Sequence, residues 1–437
     1  MPIRRAVVTM AVPAVLSQLI VLMYNLADTY FIGQTDNPYM VAGVSLILPV
    51  FNLSLAVGSL LGIGGGAVLP KLLALGERDE AARTNMFCIR TAIIVTAIFS
   101  LIMGVFASPL LHALGAGENT YVYARTYVIM VLVIGGIPTV LTNILSTLLR
   151  SLSLSREAGI GVAMGGILNI ILDPLFMFVI LPEGNEVLGV GIATLISNIT
   201  SCCYCLWVFI KKQNEVKIGF GLGAPDKGNV KSVLLIGFPG AINTLLFDLD
   251  YMVLDKLMSG YDDISLAAIG IVLKAERVPL QTGIGLCQAV VPIVSYTYAS
   301  KNHERMKKAI RFTALVGVSV ALIAIALYEV FAPGILRIFI NNEATILRGA
   351  TFLRARALAT LFMFLSFYVV HLFQAVGHSN KALVLGVIRW AVLNIPMMFI
   401  LNSIFGMNGL VWAQLTSDII TVIISLTVLN RFLHNAK

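Results

Sequence analysis

Ile167-Leu168-Asn169-Ile170 and Val392-Leu393-Asn394-Ile395 carry one pattern at positions 225 residues apart. The same offset relates Phe106-Ala107 to Phe331-Ala332, and Glu118-Asn119-Thr120 to Glu343-Ala344-Thr345. With small shifts, Pro13 matches Pro239, Pro49 matches Pro279, and Asp28 with Gly33 matches Asp255 with Gly260. The 437-residue chain therefore reads as a duplication, and the two copies must share one architecture.

Composition says what that architecture is. Apolar residues make up 58% of the chain and charged residues 12%, with a mean hydropathy of +0.92. A soluble domain carries roughly a quarter charged residues, so an ordinary cytosolic enzyme and a disordered protein are both excluded. Windows of about 20 apolar residues predict helices over 6–32, 41–70, 86–108, 119–149, 158–181 and 188–210. After a polar stretch at 211–231, six more follow over 232–258, 264–298, 312–334, 346–376, 382–402 and 407–430. The expected fold is an all-α polytopic membrane protein with twelve transmembrane helices. They form an N-terminal six-helix bundle (1–210), a cytoplasmic linker (211–231) and a C-terminal six-helix bundle (232–437). Six spans per copy is an even number, so the copies share one orientation and are related by a parallel pseudo-two-fold repeat, with a cleft expected between the bundles. Arg4 and Arg5 precede the first span with no small-residue cleavage site after it, which reads as a retained helix.

The net charge of +8 would point to nucleic acid in a soluble protein. Here its placement decides otherwise. Alternate loops and the two termini hold 20 of the 30 Lys and Arg residues, and the opposite loops hold only Arg125, Arg337 and Arg348. Positive residues collect on the cytoplasmic side, so both termini are expected there, in a multi-pass protein of the plasma (inner) membrane with no nucleic-acid partner. The five cysteines lie in apolar runs without a CxxC, and no disulfide framework is expected.

A carboxylate inside a span costs about 2.5–3.5 kcal/mol on insertion scales, so each one is a functional candidate. Asp28, Asp173, Asp248, Asp250, Asp255, Glu276, Glu329 and Asp418 qualify. In the first span Gln18, Asn25, Asp28 and Thr29 recur along one helical face, and in the fifth Asn169 and Asp173 stack at i and i+4. Pro174 follows and cannot donate to the carbonyl of Ile170. Thr194 enters from the sixth span at a similar depth. These are hard oxygens suited to a small cation, and the set reads either as an ion site or as a hydrogen-bonded structural network. Asn169 has its twin in Asn394, whereas Asp173 corresponds to Met398, so any such site is expected in the first bundle only. Asp248 and Asp250 point about 200° apart, so one of them is expected to face the cleft.

Absences narrow the class further. No G-x-x-x-x-G-K-[ST] motif is present, and the glycine run Gly62-Ile63-Gly64-Gly65-Gly66 reads as close helix packing. His303-Glu304 is not H-E-x-x-H, and no catalytic constellation or resident cofactor is expected, so the chain does not read as an enzyme.

The chain resembles the multidrug and toxin extrusion (MATE) family along essentially its whole length. The resemblance is carried by Pro13 with Asp28-Thr29-Tyr30-Phe31-Ile32-Gly33, by Asn169-Ile170-Ile171-Leu172-Asp173-Pro174-Leu175-Phe176, and by Gly189-Val190-Gly191-Ile192-Ala193-Thr194. Gly237-Phe238-Pro239, Ala267-Ala268-Ile269-Gly270, and Arg389 with Asn394 and Pro396 carry it in the second half. It implies a monomeric secondary antiporter that exports small organic, often cationic compounds in exchange for inward H⁺ or Na⁺ by alternating access. It also implies a cation-coupling site at Asp28, Asn169, Asp173 and Thr194, which would be the place for Na⁺ if the ion is a metal. Gln18, Asn25, Asp248, Asp250 and Arg389 are further candidates for substrate or second-lobe roles. The alternative is a lipid-linked oligosaccharide flippase of the related two-lobe plan, which would need Arg90, Lys274, Arg277 and Arg389 to make its cavity cationic.

Overall fold

The computed structural model describes residues 2–35, 37–216, 221 and 223–435, and every described element is helical. The first half holds α1 (Ile3–Gly33), α2 (Pro38–Leu75), α3 (Arg78–Val105), α4 (Ala107–Ala113), α5 (Glu118–Tyr127), α6 (Gly136–Ser151), α7 (Ser155–Leu175) and α8 (Glu186–Val216). The second holds α9 (Lys227–Met258), α10 (Asp263–Ala299), α11 (His303–Arg337), α12 (Glu343–Ala357), α13 (Ala359–Ala375), α14 (Ser379–Val387), α15 (Ile395–Phe405) and α16 (Met407–Asn435). Among the described residues, three π-helical segments interrupt them, at Val128–Ile134, Phe176–Ile180 and Ile388–Asn394. Within the polar stretch 211–231, α8 continues to Val216 and α9 starts at Lys227. Part of the stretch, 217–220 and 222, lies outside the described residues.

Among the described residues, ten helices are long and apolar enough to cross a bilayer, or up to twelve if each of two bent pairs is one span. The bent pairs are Glu118–Ile134 with Gly136–Ser151, at 51°, and Glu343–Ala357 with Ala359–Ala375, at 43°. The stretches 119–149 and 346–376, expected as single helices, are therefore broken. Hydropathy windows register apolar length but not the local backbone, so they cannot see such a break. Many large apolar side chains are exposed, among them Leu101, Val105, Val179, Leu315 and Val330, as a lipid solvent requires. The most apolar window, in α11, is only 11% buried, whereas the less apolar window of α10 is 67% buried. A helix facing lipid must be apolar all round. α10, shielded by protein, can carry Glu276.

By contact the chain forms two units, Val12–Ala241 and Met1–Ala11 with Ile242–Lys437. The divisions fall inside α1 and α9 rather than at a linker. In the unit 12–241, α2 packs against α3, α5 and α6, and α7 packs against α8. In the other unit, α10 packs against α11, α12 and α13, and α15 packs against α16. The partners correspond one for one along the sequence offset. The glycine run acts as its composition implied: a Cβ on Gly64 would collide with the carbonyl of Val233, so α2 and α9 touch backbone to backbone there. All five cysteines are free thiols. Cys88, Cys202, Cys205 and Cys287 are buried, and Cys203 is exposed.

Candidate functional site

α7 is built to bring two other helices close. Gly159, Gly166 and Asp173 recur every seven residues and share one face. A side chain at Gly159 would meet Pro13, and one at Gly166 would meet Ile20 and Tyr24, so this face receives α1. Gly161, Gly165 and Asn169 recur every four residues and form the neighbouring face. Gly161 abuts Cys205 and Gly165 abuts Ser201, so this face receives α8 running the opposite way. Two turns beyond the Gly166 contact, Asp28 comes to Asp173, and one turn beyond the Gly165 contact on α7, Asn169 comes within 3.4 Å of Thr194 on α8. The small residues thus set the approach that the polar residues use.

The resulting geometry is compact. Asn169 Nδ2 donates to Asp173 Oδ1 at 3.2 Å and lies 3.4 Å from Thr194 Oγ1. The carboxyl of Asp28 faces that of Asp173 within hydrogen-bonding reach. Asn169 and Asp173 are buried, and Asp28 is half-buried. Three buried oxygens here have no hydrogen-bond partner among the described residues: Asp28 Oδ1, Asn169 Oδ1 and Asp173 Oδ2. A buried oxygen without a donor is costly, and two facing carboxylates in low dielectric cannot both ionise without a counter-charge. The arrangement can do one thing well, which is to hold a proton or a small cation. The polar stripe expected on the first span divides. Asn25 Nδ2 folds back to Val21 O and Thr29 Oγ1 to Asn25 O, and both residues are exposed, so neither joins Asp28 at the pair. Gln18, two to three turns away on α1, is half-buried.

The second half treats its acids differently. Asn394, the twin of Asn169, donates from Nδ2 to Asp250 Oδ1 at 2.7 Å and to Gln414 Oε1 at 2.9 Å, and accepts from Ser417 Oγ at 2.8 Å. Gln414 Nε2 donates to Asp418 Oδ2 at 2.7 Å. Arg389 grips Asp418 with both arms of its guanidinium, Nε to Oδ1 at 2.7 Å and Nη2 to Oδ2 at 3.3 Å. Asp250 is 1% exposed, while Asp248 is half-buried, which separates two residues that sequence could not rank. Replacement of the second-half acid by Met398 did not leave Asn394 without a carboxylate, because α9 and α16 supply Asp250 and Asp418.

Two further acids also have cations. Glu276 Oε2 accepts from Arg356 Nε at 2.8 Å with both side chains almost fully buried, and Glu329 pairs with Arg354. Sequence reading named Glu276 but missed Arg356 as its partner, as it missed Gln414 and Ser417. The i, i+4 spacing of Gln414 and Asp418 was the available signal. Of the four cations that a cationic cavity would need, Arg389 is consumed by Asp418, Arg90 and Lys274 are exposed, and Arg277 lies over the Tyr251 ring at 5.7 Å.

The MatE family profile matches residues 13–175 and again 239–400, one match in each half. The multidrug export protein MepA of Staphylococcus saprophyticus is 28% identical over 422 residues, covering 96% of this chain and 91% of its own. Among solved structures, one described as the outward-facing conformation of a multidrug resistance MATE family transporter is similar at a TM-score of 0.92 and 21% identity, covering 100% of this chain and 97% of that one. The Vibrio cholerae MATE transporter VcmN, solved as a mutant, gives 0.92 and 19% identity over 99% of this chain and 97% of its own. A chain matched twice by one profile, once per sequence repeat, and similar over its full length to such structures has its family settled: it belongs to the MatE family of multidrug and toxin extrusion transporters, and is a multi-pass membrane transporter rather than an enzyme.

Proposed function

We propose that this protein is a secondary antiporter that exports organic, often cationic compounds in exchange for H⁺ or Na⁺ entering through Asp28, Asn169, Asp173 and Thr194. The carrying observation is the approach of Asp28 to Asp173, with one oxygen each of Asp28, Asn169 and Asp173 lacking a partner among the described residues. In this reading the chain has twelve spans in two six-helix repeats, 1–210 and 232–437, joined by 211–231. Both termini are cytoplasmic, the membrane is the plasma membrane, and the protein works as a monomer. The matching packing partners in the two units and the loop charge asymmetry support it.

The mechanism is a population shift between outward-open and inward-open states. A cation seated between Asp28 and Asp173 neutralises their repulsion and alters packing where α7 passes through Pro174 into the π-helical turn Phe176–Ile180. A ligand moves such an equilibrium only by its difference in affinity between the states. The cation and the exported compound must therefore favour opposite states. Asp250 and Asp248 are the second-half candidates for substrate contact; Arg389 is a weaker one, since Asp418 already neutralises it. The same pairing weakens the flippase reading, which needs Arg389 as a free cation. The name of the MepA relative, an exporter of several drugs, supports a broad range of organic substrates.

The deciding experiment is efflux of a fluorescent organic cation from reconstituted vesicles, under a Na⁺ gradient alone and an H⁺ gradient alone. One gradient should drive transport, and Asp173→Asn should abolish it. Uphill transport that survives Asp173→Asn under both gradients removes this site from the mechanism.

A further inference from the structure

We propose that Arg389 is a built-in counter-ion, its guanidinium holding by covalent attachment the position an exchangeable cation would take beside Asp250, Asn394, Gln414 and Asp418. The second half is thereby closed to metal ions, and removing the guanidinium opens a monovalent-cation site there. This goes beyond the coupling reading and does not require it.

The two halves supply the comparison. Around Asn169, three buried oxygens lack a partner among the described residues. Around Asn394, both oxygens of Asp418, Oδ1 of Asp250 and the amide oxygens of Asn394 and Gln414 each accept a hydrogen bond. The halves differ in the guanidinium, and in Ser417, which donates to the Asn394 oxygen whose twin on Asn169 has no partner among the described residues. The guanidinium satisfies both oxygens of Asp418, and through Gln414 and Asn394 its field reaches Asp250. It cannot leave. Its Cζ lies 4.4 Å from the ring centre of Phe367 and 4.1 Å from that of Trp390, and the side chain is 3% exposed. Guanidinium is weakly hydrated and binds aromatic faces, so it suits a permanent buried position better than an ammonium would. The backbone is also shaped for it. Arg389 and Asn394 lie in the π-helical segment Ile388–Asn394, whose i to i+5 bonding stacks residues five apart that an α-helix would splay. Removing the guanidinium leaves the Asp418 carboxylate held only by Gln414 Nε2, with Gln414 Oε1 and Asp250 gathered on the same Asn394 amide, an oxygen set with excess negative charge like that of the first half.

The test measures thermal unfolding of purified protein at alkaline pH, in sodium chloride against N-methylglucamine chloride at equal ionic strength, with Asp173→Asn present throughout to silence the first half. Asp173→Asn alone should show no sodium-dependent Tm. Asp173→Asn with Arg389→Met should show a Tm rise that saturates with sodium, as specific binding to the folded state requires, and adding Asp418→Asn should remove it. An equal loss of Tm in both salts makes Arg389 a structural group only and overturns the proposal. So does a sodium response that Asp173→Asn already has and loses on Asp250→Asn. If Arg389→Met yields no folded protein, this last comparison, which keeps Arg389, decides. Failure of the coupling reading shows separately, as uphill efflux that survives Asp173→Asn under both the Na⁺ and the H⁺ gradient.

Discussion

Asp250 and Asn394 lie 144 residues apart and meet at 2.7 Å, the amide of one repeat asparagine donating to a buried carboxylate from the first helix of the same half. Asn169 in the first half has its nearest acid four residues along its own helix. One amide therefore bonds an acid on another helix and the other an acid on its own, and the two should respond differently to mutation.

Asn394→Ala removes three hydrogen bonds, to Asp250, Gln414 and Ser417. Such bonds in membranes average about 0.6 kcal/mol each, so a loss of roughly 2 kcal/mol is expected. Asn169→Ala breaks one bond to another helix, and it should lower stability by less than half as much while abolishing transport. Unfolding in mixed micelles, beside vesicle efflux, separates the two effects.

Asp173→Asn should leave folding intact or raise Tm. The substitution keeps the shape and removes one of two facing carboxylates that repel in low dielectric. Unchanged or higher Tm with transport lost is the expected pair of results, and a large fall in Tm would mean that Asp173 is a structural anchor.

Arg356→Met strands Glu276, both side chains being at most 3% exposed. Breaking a buried pair costs about 3–5 kcal/mol, because an uncompensated charge remains. Glu276→Gln added to Arg356→Met should recover most of that loss. A double-mutant cycle reads the coupling directly, and failure of the second change to rescue would show that packing rather than charge holds α10 to α12.

Gly64→Ala drives a methyl group onto the backbone carbonyl of Val233, which cannot rotate aside, whereas Gly270 has nothing within 4 Å of its missing Cβ. Expression and Tm should fall for Gly64→Ala. Gly270→Ala should be neutral or stabilising by roughly 0.5–1 kcal/mol, as expected for glycine inside a helix.

Outside the spans, Asp262 caps α10 by accepting from Ser265 N at 2.8 Å, and these bonds to Ser265 hold its carboxyl below the usual aspartate range. A depressed folded value means that its contribution is complete above the ordinary aspartate pKa and is lost as pH falls through the lowered one. Hydrogen exchange at the first turn of α10 should speed up only in that acid window. In Asp262→Ala, exchange should be fast at every pH.

Much of this was legible in the chain itself. Gly159, Gly166 and Asp173, and Gly161, Gly165 and Asn169, mark two faces of one helix by spacing alone. The helical periodicity and the repeat located Asn169, Asp173 and Asn394 before any coordinates. The helix breaks near Gly135 and Leu358 were not legible, because hydropathy averages over the residues that bend.

By itself, the sequence determined the membrane class, the duplication and the acids that must find partners. Hydropathy and i, i+4 spacing act along one helix, and that is all they require. Only the tertiary structure decided which partner each acid took: Asp28 a second carboxyl, Asp250 an amide, Asp418 and Glu276 an arginine each. In a bilayer a buried charge is satisfied by whichever group stands at its depth on a facing helix. That depends on rotation, tilt and a π-helical turn, none of which residue order along one helix records.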